Sequence, residues 1–308
     1  MGTTSKIMVS LATAINKVSG SAISGLANIV GQTISLFTNA NSVAKSLTTG
    51  TAQAIYVTDS NSMGVEWDDD DDFSISFWIK PGWNTSLNTN IHLFSSTDVG
   101  GGVNSDTFRM WYDDGNNRLN VQWRSGGSHR RHNFWTFHAN SGKYAPAYAA
   151  AGLGTTYWNS GNRGNVGDDD YTLITFCKGT ANSAADSNID MYWNGTTLGT
   201  SHYTNGNHVG TPAMGNNDKQ IFLGSSSWSG YVKSGNNTET KYDGLTMWDT
   251  KLTASHVTEL WNGGTPINAT THSAADSYLK GYWECESDGT ATVGEDMVIN
   301  GNSNIETR

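Results

Sequence analysis

Phe73-Ser-Ile-Ser-Phe-Trp-Ile-Lys80 sets Phe73, Ile75, Phe77 and Ile79 at every second position, and Pro81-Gly82 follows at once. Successive side chains of an extended chain point to opposite faces, so this spacing gathers four large apolar groups on one side, and proline with glycine ends the strand. The same period recurs outward from this segment. Phe108, Met110 and Tyr112 alternate, Asp113-Asp-Gly-Asn-Asn117 turns, and Leu119, Val121 and Trp123 alternate back, which is the pattern of a hairpin. Tyr171 to Cys177 reads as another strand, and Ile189, Met191 and Trp193 lead into Asn194-Gly195, a dipeptide suited to a tight type I′ turn. Ile221 with Leu223, and Leu245 with Met247, mark two more.

One segment departs from this period. Thr253 is placed to cap a short helix whose Val257, Leu260 and Trp261 face inward and whose exit is Gly263-Gly264. Alternation then resumes in a last strand, with Leu279, Gly281, Trp283 and Cys285 on one side and Tyr282, Glu284 and Glu286 on the other. At least seven strands and one short helix predict an all-β fold, a two-sheet antiparallel sandwich.

Composition agrees. Charged residues make up 15% of the 308, against roughly 25% in an average soluble protein. Thirty-five glycines with only four prolines fit many polar, uncharged turns. Twelve Trp, twelve Tyr and nine Phe supply the area for a large core and exclude wholesale disorder, as they exclude collagen or a coiled coil. Two cysteines, Cys177 and Cys285, are too few for a disulfide scaffold. They read as buried free thiols, or as a pair if neighbouring strands bring them together. A net charge of −10 argues against a general grip on nucleic acid, and no apolar run is long enough to span a membrane. Lys6 followed by Ile7 to Ile15 has the outline of a secretory signal, but Ser10, Thr13 and Asn16 dilute it, so no cleaved leader is expected.

A compositional boundary falls near residue 60. Residues 1–60 hold three Lys, one Asp and no Trp, which leaves all twelve Trp and a charge of −12 to residues 61–308. Within the first part Ile15, Val18, Gly20, Ile23 and Ser24 are echoed eleven residues later by Leu26, Ile29, Gly31, Ile34 and Ser35, and helix and short strands are equally open there. Sixty residues of this kind cannot build their own core. They must lie on something else: they are expected to form an N-terminal arm that anchors or oligomerises the protein, ahead of a sandwich domain at 61–308, with packing on their own chain as the alternative.

Several tracts, in order, resemble one family. Phe73 to Pro81, Leu93-Phe-Ser95, Tyr171 to Gly179 with Met191-Tyr-Trp-Asn-Gly195, Ile221-Phe-Leu-Gly224, and Tyr242 to Trp261 together look like the concanavalin A-like jelly roll in its laminin G or pentraxin-like form. The strand and capped helix of Tyr242 to Gly264 are the most specific part. Leu279 to Glu286 resembles the Gly-Tyr-Trp strand that often opens such domains, although here it comes last. The glycine-punctuated echo of residues 5–36 is similar to N-terminal regions of structural proteins from tailed, especially marine, phages. The resemblance implies a jelly roll displayed on a virion surface, with other virion proteins and copies of itself as partners. An extracellular protein is the alternative setting.

Candidate sites fall into three groups. Glu66-Trp-Asp-Asp-Asp-Asp-Asp72 packs six carboxylates into seven residues, and Asp68, Asp70 and Asp72 share one side of an extended chain. Hard oxygen ligands so concentrated suit a cation such as Ca²⁺, against the alternative of a solvated acidic loop. Asp168-Asp-Asp170 is a second, weaker acidic run. From Gly115 to Gly167, by contrast, there is no Asp or Glu, while Arg118, Arg124, Arg130, Arg131, Lys143 and Arg163 give +6. Such segregation in an acidic chain points to an anion, an acidic cell-surface polysaccharide or the acidic run of a neighbouring copy. Arg124, Arg130 and Arg131 are the expected contacts, with Trp135 and Trp158 placed to stack on sugar rings. No catalytic residue is expected. Glu284 and Glu286, two apart on one strand face, are the nearest approach to the carboxyl pair of a polysaccharide depolymerase. The chain therefore reads as a non-enzymatic virion structural or surface protein whose jelly roll serves self-assembly or glycan contact. A calcium-dependent lectin is the first alternative and a depolymerase the second.

Overall fold

The computed structural model describes residues 39–44, 55–57, 72–80, 90–98, 107–113, 118–125, 128–135, 171–180, 188–198, 202–203, 219–223, 239–285, 290–299 and 304–307. They form two eight-stranded sheets in which every pairing between strands is antiparallel. In chain order the strands are β1 (Asn39–Ala44), β2 (Ile55–Val57), β3 (Phe73–Lys80), β4 (Asn90–Asp98), β5 (Thr107–Asp113), β6 (Arg118–Ser125), β7 (Ser128–Trp135), β8 (Thr172–Lys178), β9 (Ile189–Trp193), β10 (Thr196–Thr197), β11 (His202–Tyr203), β12 (Lys219–Leu223), β13 (Glu239–Trp248), β14 (Leu279–Trp283), β15 (Val298–Ile299) and β16 (Asn304–Thr307). The first sheet runs β10-β9-β8-β3-β13-β1-β16, with β14 also on β13, and the second runs β11-β7-β6-β5-β4-β12-β2-β15. The expected all-β, two-sheet sandwich is the architecture observed.

The inner faces meet in one core. Phe73, Ile75, Phe77 and Ile79 of β3 have no exposed surface, and they pack with Phe108, Met110 and Tyr112 of β5 and Leu119 and Val121 of β6. Phe73 and Phe108 meet edge to face across the sheets at 5.3 Å, a favoured geometry for aromatic rings.

Simple alternation leaves Ser74, Ser76 and Trp78 on a solvent face, and here the structure differs. All three are buried, because the outer face of the first sheet carries a second core. Helix α1 (Ala254–Trp261) lays Val257 and Leu260 over Trp78, Leu173, Cys177, Tyr192 and Trp248. Ser74 is accommodated because its hydroxyl donates to Thr250 O at 2.8 Å and accepts from Leu252 N–H at 2.9 Å. Thr253 caps α1 as expected, accepting from His256 N–H, while the His256 ring takes the reciprocal position usually held by Glu or Gln. Helix α2 (Ala275–Tyr278), which the sequence pattern did not signal, completes the cover.

His272 is buried at the centre of this cover. Its Nδ1 accepts from Ala274 N–H at 3.1 Å, so Nε2 carries the proton and donates to His256 O at 3.0 Å. Glu259 accepts from the Ser273 N–H and hydroxyl at 2.8 and 2.5 Å. Burial raises its carboxyl, but the Ser273 donors and the nearby His272 and His256 more than reverse this, and the group ends below the usual carboxylate range.

Two expectations need correction. The strand from Leu279 stops at Trp283, since Cys285 adopts φ 60°, and β15 and β16 follow it, so it is not the last strand. The same turn of the backbone ends the alternation that was to place Glu284 and Glu286 side by side; Glu286 itself lies outside the described residues. Cys177 and Cys285 are free thiols on opposite sides of the first sheet, one in the outer core and one in the inner. Burial raises Cys177 to about 12 and pushes Cys285 well above the usual thiol range, which favours the neutral thiol at both. The compositional boundary at residue 60 is crossed by pairing: β1 adds to β13 and β16 in the first sheet, β2 to β12 and β15 in the second.

Candidate functional site

Strands β5, β6 and β7 form a meander in the second sheet, and β5 and β6 give Phe108, Met110, Tyr112, Leu119 and Val121 to the core. The opposite face is polar and aromatic. Phe108, Met110 and Tyr112 point into the core, so Arg109 and Trp111 between them take the other side, where Asn120 and Gln122 of β6 join them in register. Arg109 Nε donates to Gln122 Oε1 at 2.8 Å, and its Nη2 donates to the same oxygen. The guanidinium carbon lies 5.1 Å from the centre of the Trp111 ring, within cation–π range. Trp111, Asn120 and Gln122 are buried and Arg109 is half-buried, so the charged group is held from below by a fixed polar floor.

Register extends this face to β7. Arg131 is level with Gln122 and Arg109, His129 with Arg124, Asn133 with Asn120 and Trp111, and Trp135 with Arg118. β11 adds His202 level with Asn133. Arg124, Arg131 and Trp135, three of the expected contacts, therefore occupy register positions on the face of Arg109 and Trp111. Arg130 does not: it is level with Trp123 and Phe108, on the core side of the pairing. Trp158 lies outside the described residues. The three strands together hold five arginines and one carboxylate, Asp113, in a chain whose net charge is −10.

Sequence reasoning missed Arg109, Trp111, Asn120 and Gln122. The signal was present in the alternation of Thr107-Phe-Arg-Met-Trp-Tyr-Asp113, which assigns Arg109 and Trp111 to one face once Phe108 and Met110 are given to the core. Of this set the half-buried Arg109 guanidinium is the group left open to a ligand, since Trp111, Asn120 and Gln122 beneath it are buried. A planar guanidinium matches the paired oxygens of a carboxylate or sulfate group.

Of the acidic run, Asp72 is described and Asp68 and Asp70 are not. Asp72 Oδ1 accepts from the Thr180 N–H and, at 2.8 Å, from its hydroxyl. The contacts continue through Asn188, which donates to Thr180 O at 2.7 Å, to Lys251, whose ammonium lies 3.0 Å from Asn188 Oδ1 and 2.7 Å from Asp190 Oδ2. The Asp72 carboxylate thus ties the start of β3 to the end of β8, and a lysine supplies the positive charge of this rim. Among the described residues no group of three or more His, Cys, Asp or Glu side chains is arranged to hold a metal ion. Among them also no helix is long and apolar enough to cross a membrane.

No family model and no curated protein sequence matches the chain. Among solved structures it is similar to the native heptameric SAP-like pentraxin from Limulus polyphemus, at 11% identity and a TM-score of 0.42 over 85% of this chain and 97% of that one. It is also similar to botulinum neurotoxin type C, whose cell entry depends on interaction with two ganglioside molecules, at 16% identity and a TM-score of 0.41 over 70% of this chain and 41% of that one. A third likeness is to the botulinum neurotoxin serotype D binding domain, at 11% identity and a TM-score of 0.42 over 70% and 42%. The chain spans about two fifths of the length of the neurotoxin domains it matches.

Proposed function

We propose that the protein is a non-enzymatic binding module that presents the β5–β6–β7 face of its second sheet to an acidic glycan. The observation that carries this reading is the Arg109 guanidinium braced by Gln122 and lying on Trp111, in register with Arg131 on the next strand but one. A guanidinium pre-set by Gln122 and by the buried Trp111 ring loses little freedom on binding.

The test is retention of the full chain on neutral, sialylated, uronate-bearing and sulfated glycans, in calcium and again in EDTA, at low and high salt. Binding to the acidic members that salt weakens and EDTA leaves intact is expected. Arg124→Glu with Arg131→Glu should weaken it about ten- to a hundredfold, the scale of one or two hydrogen bonds to a charged group. Silence on every glycan, or binding indifferent to the charge reversal, overturns the proposal. Loss of binding in EDTA would move the site to the acidic run and the reading to a calcium-dependent lectin.

The setting we propose is the surface of a tailed-phage particle, supported by the resemblance of residues 5–36, with the N-terminal segment attaching the module to other virion proteins. Because β1 and β2 belong to the sheets, the informative truncation removes residues 1–38 only. The shortened chain is expected to keep its glycan binding and lose incorporation into particles; unchanged incorporation would remove the anchoring role.

A further inference from the structure

Two asparagine–glycine pairs lie among the described residues, and the fold treats them differently. Asn194-Gly195 forms the turn between β9 and β10, with φ of 49° and 76°. Its side-chain Oδ1 accepts from Leu173 N–H at 2.9 Å, its backbone N–H donates to Leu173 O at 2.9 Å, and Trp261 closes over the glycine, its Cβ only 2.8 Å from where a glycine Cβ would stand. Asn262-Gly263 ends α1, also in left-handed backbone, with φ of 43° and 65°. Here the asparagine is exposed, its amide reaches Thr265 O at 3.2 Å, and nothing lies within 4 Å of the position a Cβ of Gly263 would take.

We propose that Asn262 is a site of spontaneous deamidation and isoaspartate formation. The Gly263 amide nitrogen attacks the Asn262 side-chain carbonyl carbon. The Gly263 nitrogen gives up its proton as the carbon–nitrogen bond forms, and the bond to the side-chain nitrogen breaks as that nitrogen takes up a proton from solvent and leaves as ammonia. Water then opens the cyclic imide at either carbonyl, giving aspartate or, with the main chain routed through the side-chain carbon, isoaspartate. The reaction needs only water and hydroxide. Reaching its geometry requires the backbone at Asn262 to leave the left-handed region, which at a helix end means fraying of one turn, and terminal turns open at low cost. At Asn194 the same movement must break two hydrogen bonds to Leu173 and displace a packed indole.

The product has a structural consequence. Asn262 N–H bonds Thr258 O and closes the helix. A carboxylate at this end opposes the helix dipole, and the longer backbone of isoaspartate shifts the pair Trp261 and Gly264, where the indole lies 3.3 Å from the glycine Cβ position. Trp261 in turn packs on Trp78 at 5.3 Å, so the change reaches the outer core.

The experiment incubates the full-length folded chain in mildly alkaline buffer at physiological temperature and maps peptides by mass spectrometry, with isoaspartate read by isoaspartyl methyltransferase labelling. A urea-unfolded sample runs in parallel. The expected result is conversion at Asn262 well ahead of Asn194 in the folded chain and similar rates at both sites in urea. Asn262→Gly, which keeps the left-handed cap and removes the amide, should abolish the methyltransferase signal from that peptide. Equal rates in the folded chain, Asn194 leading, or an intact Asn262 when the unfolded sample has reacted would each overturn the proposal.

Discussion

Replacing Phe77 with alanine is expected to destabilise the sandwich by about 3–5 kcal/mol. The ring has no exposed surface and lies where the two sheets meet: it stacks on Phe94 of β4 at 6.5 Å with an interplanar angle of 8° and packs against Tyr242 of β13 at 5.8 Å. Removal leaves a space that its walls are poorly able to close. Tyr242 is held by its hydroxyl, which donates to Leu93 O at 3.0 Å, and Phe94 is engaged on its other side by Phe108 at 6.1 Å. Since the cost of a cavity grows with the volume that fails to collapse, the expected value lies in the upper part of the range for aromatic truncation. Urea unfolding should show a lower midpoint with an unchanged slope. Phe77→Met, which refills much of the space with a flexible chain, should recover more than half of the loss. A change below about 1 kcal/mol for Phe77→Ala would mean that β3 and β4 do not face each other through this ring.

How far the fold could be read from the sequence depends on which contacts decided each element. Phe73, Ile75, Phe77 and Ile79 were legible because an inter-sheet core imposes a period of two on a strand whatever its distant partners are. Thr253 and Val257 were legible because a helix cap and stripe are local. The burial of Ser74, Ser76 and Trp78 was not legible for a non-local reason: the cover over them is built from residues 252–275, and nothing in the octapeptide announces a second buried face. The strands Asn39–Ala44 and Ile55–Val57 carry no clear alternation and are strands through pairing with β13 and β12, far along the chain.

The site divides in the same way. Charge segregation after Gly115 pointed to Arg124 and Arg131, the aromatic side chains to Trp135, and register places the three on one face. The same reasoning coupled Arg130 to Arg131 because they are adjacent, yet adjacency in a strand means opposite faces, and only one member of such a pair can serve a given surface. Arg109 escaped because the count began after the turn that separates it from Gln122, its hydrogen-bond partner. Residues that a hairpin brings together lie apart in sequence, so a charge count over a continuous window samples one arm of the site.

A second large effect is expected from the smallest possible change, Gly281→Ala. Gly281 lies in β14 opposite Met247, and the Trp283 ring, two residues on and on the same side, folds back over it. A methyl group added at Gly281 would come within 2.5 Å of that ring and 3.5 Å of Met247 Cβ. The ring has little room to yield: Trp283 is 1% exposed, and its Nε1 donates to Glu295 O at 2.7 Å. Moving it costs about 1–3 kcal/mol in packing strain and, where the indole hydrogen bond breaks inside the core, a further 1–3 kcal/mol. The expected loss is therefore about 2–5 kcal/mol, with a changed near-ultraviolet tryptophan signal. The decisive measurement is a double-mutant cycle with Trp283→Leu. If the indole is the obstacle, Gly281→Ala should cost much less in a chain that already carries Trp283→Leu, giving a coupling of at least about 1 kcal/mol. Additive effects would mean that the glycine answers to some other neighbour, and that the indole does not determine the residue at this position.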